Sequence, residues 1–345
     1  MPDFCRLIVT VVVLSAAGCT GARAPDPAAD VADAAPVAPG VPAVFAPGVI
    51  SGPSRESVPA FTPDGNTVYF TRDNAILVAH RHGTSWSAPE VAPFSGRWGD
   101  WEPAMSPDGA FLIFVSNRPA VEPGAALDGE WGYPTRTVFK TYGGNLWRVE
   151  RRGDSWGTPV RLPDMVNRGT GVWEPSIVAD GSLYFMDAHL PGRFRIYRSQ
   201  YRGGSYQEPQ QLPFSDGTWS DVDATVAPDE SFLVIASNRP PVEGQRHELF
   251  LAFRDAGGGW GPLRHLGPAV NDATADQIQP RLGPDRHTLY FTSGRTTPIH
   301  YPRSPAVRDA DLRRAQTWDN GASNIWQVDL SPWLRPTPGG GPGSP

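Results

Sequence analysis

The sequence predicts an all-β fold: a five-bladed β-propeller of four-stranded antiparallel blades, closed by an N-terminal strand, with six blades as the alternative. Three observations predict it. A strand–turn–strand segment built on Pro-Asp-Gly recurs five times in constant register. A third strand follows every copy, and an aromatic-proline signature follows four of them. The last copy lacks its closing strand, and a spare apolar segment lies before the first.

The segment is clearest at EPAMSPDGAFLIFVSNR, residues 102–118. Pro107-Asp108-Gly109 supplies a fixed φ, a turn-favouring carboxylate and a position for positive φ, and LIFVS is a β-rich return strand. PAFTPDGNTVYFTRD (59–73), PSIVADGSLYFMDAH (175–189), ATVAPDESFLVIASNR (224–239) and PRLGPDRHTLYFTSGR (280–295) share its register. Asp64, Asp108, Asp180, Asp229 and Asp285 each stand five residues after the first position. Third strands follow as AILVAHRHG, NLWRVERRG, RIYRSQYRG, ELFLAFRDA and NIWQVDL. The pairs Trp86/Pro89, Trp156/Pro159, Tyr206/Pro209 and Trp260/Pro262 then open a fourth strand. Each unit spans about 45 residues, the size of a propeller blade. The fifth stops at NIWQVDLSP (324–332). Phe45 to Ile50 is the segment that would complete it, closing the ring and removing two sheet edges.

Composition agrees with this reading. The 345 residues carry 30 Lys+Arg against 36 Asp+Glu, which argues against a nucleic-acid partner and leaves no polybasic membrane patch. Gly (37) and Pro (38) are abundant, but with 12 Trp they punctuate packed strands rather than mark disorder. The two cysteines fall at Cys5 and Cys19, so no disulfide is expected in the folded domain.

The first 18 residues read as an export signal: Arg6 precedes LIVTVVVLSAA, a run too short to span a bilayer. The sequence Ala16-Ala17-Gly18-Cys19 resembles a bacterial lipoprotein lipobox, with Ala16 where Leu is more usual. That resemblance implies lipidation at Cys19 and, with Thr20 following rather than Asp, the outer membrane. Residues 19–44 read as an Ala/Pro-rich tether, 45–334 as the propeller and 335–345 as a disordered tail.

The pattern E-P-x-x-S-P-D-G…F-x-S-N-R…L-W over residues 45–332 resembles the WD-like repeat of TolB-type propellers of the bacterial cell envelope. TolB itself has six blades and a further N-terminal domain, so its particular partners do not transfer. Such repeats also serve peptidases and lyases, so the fold leaves function open.

Irregular sequence collects on the face where strand one enters. Two insertions follow strand two, at 119–144 and 296–322, long enough for functional flaps. The entry loops are RWGDWE (97–102), TGVWE (170–174), TWSDVD (218–223) and TADQIQ (274–279). Glu102, Glu174, Asp223 and Gln279 precede strand one at the channel mouth, and Val58 breaks their ring in blade one. Trp101 and Trp173 stand beside two of them, Trp98 and Trp219 lie upstream, and Trp131 and Trp318 lie in the insertions. Flat rings beside carboxylates and amides suit a sugar, so the candidate ligand residues are Trp98, Trp101, Glu102, Trp173, Glu174, Trp219, Asp221, Asp223, Gln279, Arg118, Arg239 and Arg295. The competing reading packs the Trp between blades and pairs Glu102 and Glu174 with the three arginines.

A non-catalytic, envelope-anchored binding protein is therefore expected, with an envelope protein or a glycan as partner. Membrane contact would come only through the lipid, and no cofactor or metal is expected. Glycoside hydrolysis or polysaccharide elimination by the mouth carboxylates is one alternative; a scaffold subunit docking through the insertions is another. No G-x-S-x-G elbow or zinc-site spacing is present. Asp221, Asp223 and Asp276 form the one acidic set considered for Ca²⁺.

Overall fold

Turn chemistry builds the repeat. In a computed structural model, which describes residues 39–131, 137–188 and 193–335, each Asp of the Pro-Asp-Gly type accepts bonds from its own turn. Ala110 N donates to Asp108 Oδ1 at 3.0 Å and Ser106 Oγ at 2.6 Å, and Ser182 N and Ser231 N do the same for Asp180 and Asp229. These bonds hold the Asp64, Asp108 and Asp229 carboxyls below the usual carboxylate range. The expected signal segment, Cys19, most of the expected tether, the residues after 335 and the ring of Trp131 lie outside the described residues.

Five antiparallel sheets result. Their first three strands are Glu56–Phe61, Thr67–Arg72 and Ala75–His82 in blade one, and Asp100–Met105, Phe111–Ser116 and Asn145–Arg152 in blade two. Blade three has Val172–Ile177, Leu183–Asp187 and Arg195–Ser199; blade four has Asp221–Val226, Phe232–Ser237 and Glu248–Phe253. Ile278–Leu282, Thr288–Ser293 and Asn324–Asp329 form blade five. Outer strands are two residues long: Glu90–Val91, Val160–Arg161, Gln210–Gln211, Arg264–His265 and, for blade five, Ala43–Val44. The fold is a five-bladed propeller, as the repeats predict.

Two details differ from expectation. The closing strand begins at Ala43, inside the expected tether: Ala43 pairs with Gln327, Val44 with Trp326, and Phe45 N donates to Ile325 O at 2.8 Å. Residues after Phe45 turn away, since Ala46 O accepts from Val49 N and Ile50 N. The aromatic-proline pairs also do not open strand four. Trp86 and Trp156 end short hairpins that extend strand three, pairing with Arg81 and Arg151, and Tyr206 ends a like hairpin with Tyr201.

Those aromatics join each blade to the one before. Trp156 of blade two donates from Nε1 to Tyr69 OH of blade one at 3.1 Å, and Trp260 of blade four meets Tyr184 of blade three edge-on at 6.4 Å. Trp86 lies 5.7 Å from Phe45, which itself lies 5.1 Å from Tyr290 of blade five. Wholly buried Phe70, Phe114, Phe185 and Phe291, one in each of four second strands, fill the sheets' interfaces.

The connections between strands two and three decide what stands over the channel. In blade one it is only Asp73 and Asn74, with φ of 47° and 67°, the tight primed turn of a hairpin. Blade two's insertion carries a small hairpin, Gly129–Trp131 with Thr137–Phe139. Blade five's carries a helix, Pro305–Thr317, capped by Ser304, with no buried residue. Asp311 braces that helix against Arg303 (2.8 Å) and Arg314 (2.9 Å). In the ring of five, blades two and five are the two neighbours of blade one.

Candidate functional site

One backbone device aims five side chains at the channel. Each first strand breaks register at one residue: between Ser57 and Ala60, Trp101 and Ala104, Trp173 and Ser176, Val222 and Thr225, and Ile278 and Arg281. The bulged residues are Val58, Glu102, Glu174, Asp223 and Gln279, with φ of 52°, 53°, 53°, 56° and 55°. Left-handed backbone at a β-branched or carboxylate residue is strained, by about 1–3 kcal/mol apiece, and a bulge re-aims its side chain. Five such residues in one ring mark a built feature.

The ring is cross-linked. Glu174 N donates to Glu102 Oε2 at 2.7 Å, Gln279 Nε2 to Glu102 Oε1 at 3.3 Å, and Gln279 N to Asp223 Oδ2 at 3.1 Å. Glu102 N in turn donates to Thr71 Oγ1 of blade one at 2.9 Å. The cation of the cluster is Arg281, whose Nη2 approaches Glu174 Oε2 to 2.5 Å. That contact lies off hydrogen-bond angles, so both Glu174 oxygens are buried with no hydrogen-bond donor. Arg281 went unremarked in the sequence; it stands two residues after Gln279, in a position that holds no arginine in the other four blades.

Three carboxyls against one guanidinium cannot all ionise out of water. Burial, then the charges of Glu174 and Asp223, push the Glu102 carboxyl well above its ordinary value against the opposing Glu174 N–H and Arg281. Burial and Glu174 do the same to Asp223, opposed by Gln279 N–H and Arg281. The sign for stability follows. The folded state holds these protons where the unfolded chain, at 4.5 and 3.8, has lost them. Their contribution is full below those values and is lost as pH rises toward the folded-state values. Asp64, Asp108 and Asp229 act oppositely, contributing above 3.8 and losing it in acid. Melting temperature is therefore expected to peak in weak acid and decline toward neutrality. Glu102→Gln with Asp223→Asn should flatten that decline; a parallel decline in the double variant would refute the cluster as its source.

The expected arginines lie elsewhere. Arg118 pairs with Asp100 at 2.7 Å and Arg239 with Asp221 at 2.6 Å, while Arg295 donates to Val270 O at 2.6 Å. Arg118 and Arg239 reach the acid that opens the inner strand and Arg295 a backbone carbonyl, none of them Glu102 or Glu174, and Asp221 is fully buried beside Arg239. Blade five has Gln277 where that acid would be, and burial pushes Arg295 down to about 10. Nor do the acids considered for Ca²⁺ meet: Asp221 is with Arg239, Asp223 with Gln279, and Asp276 accepts from His247 N. Among the described residues no group of three or more His, Cys, Asp or Glu could hold a metal.

Trp101 and Trp173 are 5 % and 3 % exposed, which corrects their reading as an open sugar platform. Their rings lie 5.5 Å apart, and Tyr142 from the first insertion covers them at 5.0 and 5.3 Å. Glycines make the room: a methyl at Gly99 would collide with Trp101, and one at Gly144 would stand 2.7 Å from Trp173. Trp98 and Trp219 are half-buried. Trp98 Nε1 donates to Glu122 at 3.2 Å beside a cavity of 530 Å³ between blades one and two. Trp318 meets Trp326 edge-on at 5.7 Å.

The channel is stopped at mid-depth. On the Pro-Asp-Gly side a 270 Å³ cavity is rimmed by Pro63, Pro107, Pro228 and Pro284, with Arg281 in its wall. On the entry side a 560 Å³ cavity has Glu102 and Gln279 in its wall. Its lining comes from blades five, one and two, so it opens over the short Asp73-Asn74 turn. Arg55, Asp73, Asn74, Tyr142 and Thr292 line it and were not among the expected residues; scattered over three blades, they share no sequence pattern.

The sequence matches no protein-family model and no curated protein. Solved structures of similar fold include TolB proteins from Agrobacterium tumefaciens (17 % identity, TM-score 0.45, covering 73 % of this chain and 74 % of that one) and Acinetobacter baumannii (13 %, 0.43, 81 % and 55 %). A gluconolactonase from Xanthomonas campestris is similar at 14 % identity and TM-score 0.45, covering 77 % and 84 %. These are likenesses of propeller fold: the chain resembles TolB-like propellers and, as distantly, an enzyme.

Proposed function

We propose that the chain is a non-catalytic binding protein of the bacterial cell envelope that engages a protein partner through the insertions on its strand-entry face. One observation carries this reading. Val121, Val138, Phe139 and Tyr142 are exposed on the first insertion, and Ile299, Tyr301, Val307 and Leu312 on the second. Elsewhere among the described residues only Val41, Val91, Val160 and Met165 are large, apolar and comparably exposed. Apolar side chains concentrated on two protruding segments are what a docking surface displays. The lipobox-like Ala16 to Cys19 supports export and lipid anchoring, with the outer membrane as the proposed location. No helix among the described residues is long and apolar enough to cross a membrane.

One experiment addresses both parts. The wild type, Cys19→Ser and a Phe139→Ser/Ile299→Ser/Tyr301→Ser variant are crosslinked in cells of the native host and fractionated. The reading expects Cys19→Ser to leave the membrane fraction, and the triple variant to lose a specific crosslinked partner at unchanged melting temperature. Identical crosslinks from wild type and triple variant would end the proposal.

A carbohydrate-active enzyme is the second reading, favoured by Glu102, a buried acid beside a cavity that keeps its proton as a general acid must. Against it, both Glu102 oxygens already accept a bond, from Glu174 N and the Gln279 amide, which ties the carboxyl into the ring of blades.

A further inference from the structure

A nucleophile, a base and an acid meet on the strand-entry face at the seam of blades four and five. Ser220 stands just before blade four's first strand, His247 just before its third, and Asp276 in the loop that enters blade five.

The repeat fixes the backbone at all three places. Ser220 N donates to Asn238 Oδ1 at 2.8 Å, and Asn238 N returns a bond to Ser220 O at 3.3 Å. His247 O accepts from Gln277 N at 2.9 Å, the bond that Glu56, Asp100 and Val172 make to the residue before the preceding blade's third strand. The scaffold itself needs none of the three side chains. At the seam of blades two and three the same positions are Gly99, Gly144 and Gly171, within the same bonds. No other seam holds Ser, His and Asp at these places.

Their order is that of a nucleophile, its base and the group that orients the base. His247 Nε2 lies 3.1 Å from Ser220 Oγ, within the reach of a general base. Its Nδ1 lies 3.6 Å from Asp276 Oδ1, an ion-pair distance, and that same oxygen accepts from His247 N at 2.7 Å. A carboxylate beside Nδ1 favours the proton on that nitrogen, which leaves the lone pair of Nε2 for the serine hydroxyl. The bond from the His247 ring, with that from its backbone N–H, holds the Asp276 carboxyl below the usual carboxylate range against its partial burial. The His247 and Asp276 side chains are 22 % and 51 % exposed and Ser220 is half-buried, so none of the three is sealed in the core.

We propose that Ser220 is an activated nucleophile that accepts an acyl group from activated esters, with His247 as its general base and Asp276 as the positioning residue for His247. Ser220 Oγ attacks the ester carbonyl and passes its proton to His247 Nε2. The Oγ–C bond forms, the bond from that carbon to the leaving oxygen breaks, and the leaving oxygen takes the proton from His247. The product is an acylated serine. This step uses no residue of the docking surface and requires no turnover, so it adds to the binding reading without replacing it.

The test treats the full chain with p-nitrophenyl acetate and, separately, with an alkyl fluorophosphonate, and locates the adducts by peptide mass. Both reagents should mark Ser220, and Ser220→Gly should lose the mark. His247→Gly should slow marking about 100-fold, the low end of general-base catalysis, and imidazole added to the buffer should restore part of the rate. Free imidazole would not replace a histidine that only supports the fold. Asp276→Asn should slow marking about tenfold, less than in a buried triad because this carboxylate is half-exposed, and Asp276→Glu should fall between that variant and wild type. Both glycine variants should melt with the wild type, since the seam of blades two and three folds with glycine at each place. No adduct at Ser220, an equal rate in His247→Gly, or equal marking of Thr67, whose hydroxyl lies 3.1 Å from His80 Nδ1, would overturn the proposal. The Phe139/Ile299/Tyr301 variant should be marked like wild type, so failure here and failure of the docking surface are distinguishable.

Discussion

Phe45→Ala is expected to destabilise the propeller by about 3–5 kcal/mol, on the order of 10 °C in melting temperature. The reason is position as much as size. Phe45 is 4 % exposed, and its ring touches Tyr290 of blade five at 5.1 Å, and Phe61 and Trp86 of blade one at 5.7 Å each. Removing it leaves a cavity at the one seam where two blades distant in sequence must meet. At this seam Ala43 pairs with Gln327 and Val44 with Trp326, Phe45 N and Ser51 Oγ donate to Ile325 O, and Glu56 N donates to Ser323 O. The loss should therefore appear as opening of the ring, with faster proteolysis in blades one and five than in blade three. Val41→Ala, at an exposed position just before the clasp, is the control. A Phe45→Ala protein that melts with the wild type would show that closure does not depend on this ring.

Arg281→Met is the second large effect. Removing one partner of a buried ion pair strands the other, at about 3–5 kcal/mol. Here it strands Glu174 and withdraws the cation that also faces Glu102 and Asp223. The deficit should be largest at neutral pH and shrink in acid, where the carboxyls take up protons. Adding Glu174→Gln should recover part of it, a coupling readable in a double-mutant cycle. A deficit that is constant with pH would mean that Arg281 acts through packing alone.

The scaffold was legible because its signals are local. Pro-Asp-Gly turns, β-rich returns and a spare N-terminal segment require nothing beyond a few residues of context, and they set blade number and closure. The clasp's position was two residues out, since Phe45 reads equally well as a strand residue or as the plug after one. The Pro305–Thr317 helix was missed for a physical reason: it buries no residue and so has no apolar stripe, leaving only its Ser304-Pro305 start as a sign. The site was legible in half. Glu102, Glu174, Asp223 and Gln279 occupy one repeat position, and register alone placed them on the axis. Their bulged, left-handed backbone was not visible, because Glu-Pro and Gln-Pro are ordinary extended dipeptides in sequence. The arginines misled because a repeat fixes which residue recurs but not which of two acids, two residues apart, it pairs with. Arg281 and Tyr142 gain their roles from neighbours in other blades, Glu174 and Trp173.

The clasp also sets how the molecule responds to mechanical load. Ala43–Val44 runs antiparallel to Asn324–Asp329, so the chain before Ala43 and the chain after Asp329 leave from the same end of the pair. Tension between them breaks the bonds one at a time, as a zipper opens, instead of shearing them together. A membrane tether drawn from the N-terminal side against a load on the C-terminal side would thus act on the weakest direction of the ring. A partner that pulls on the insertions of blades two and five would instead load several full-length strands at once.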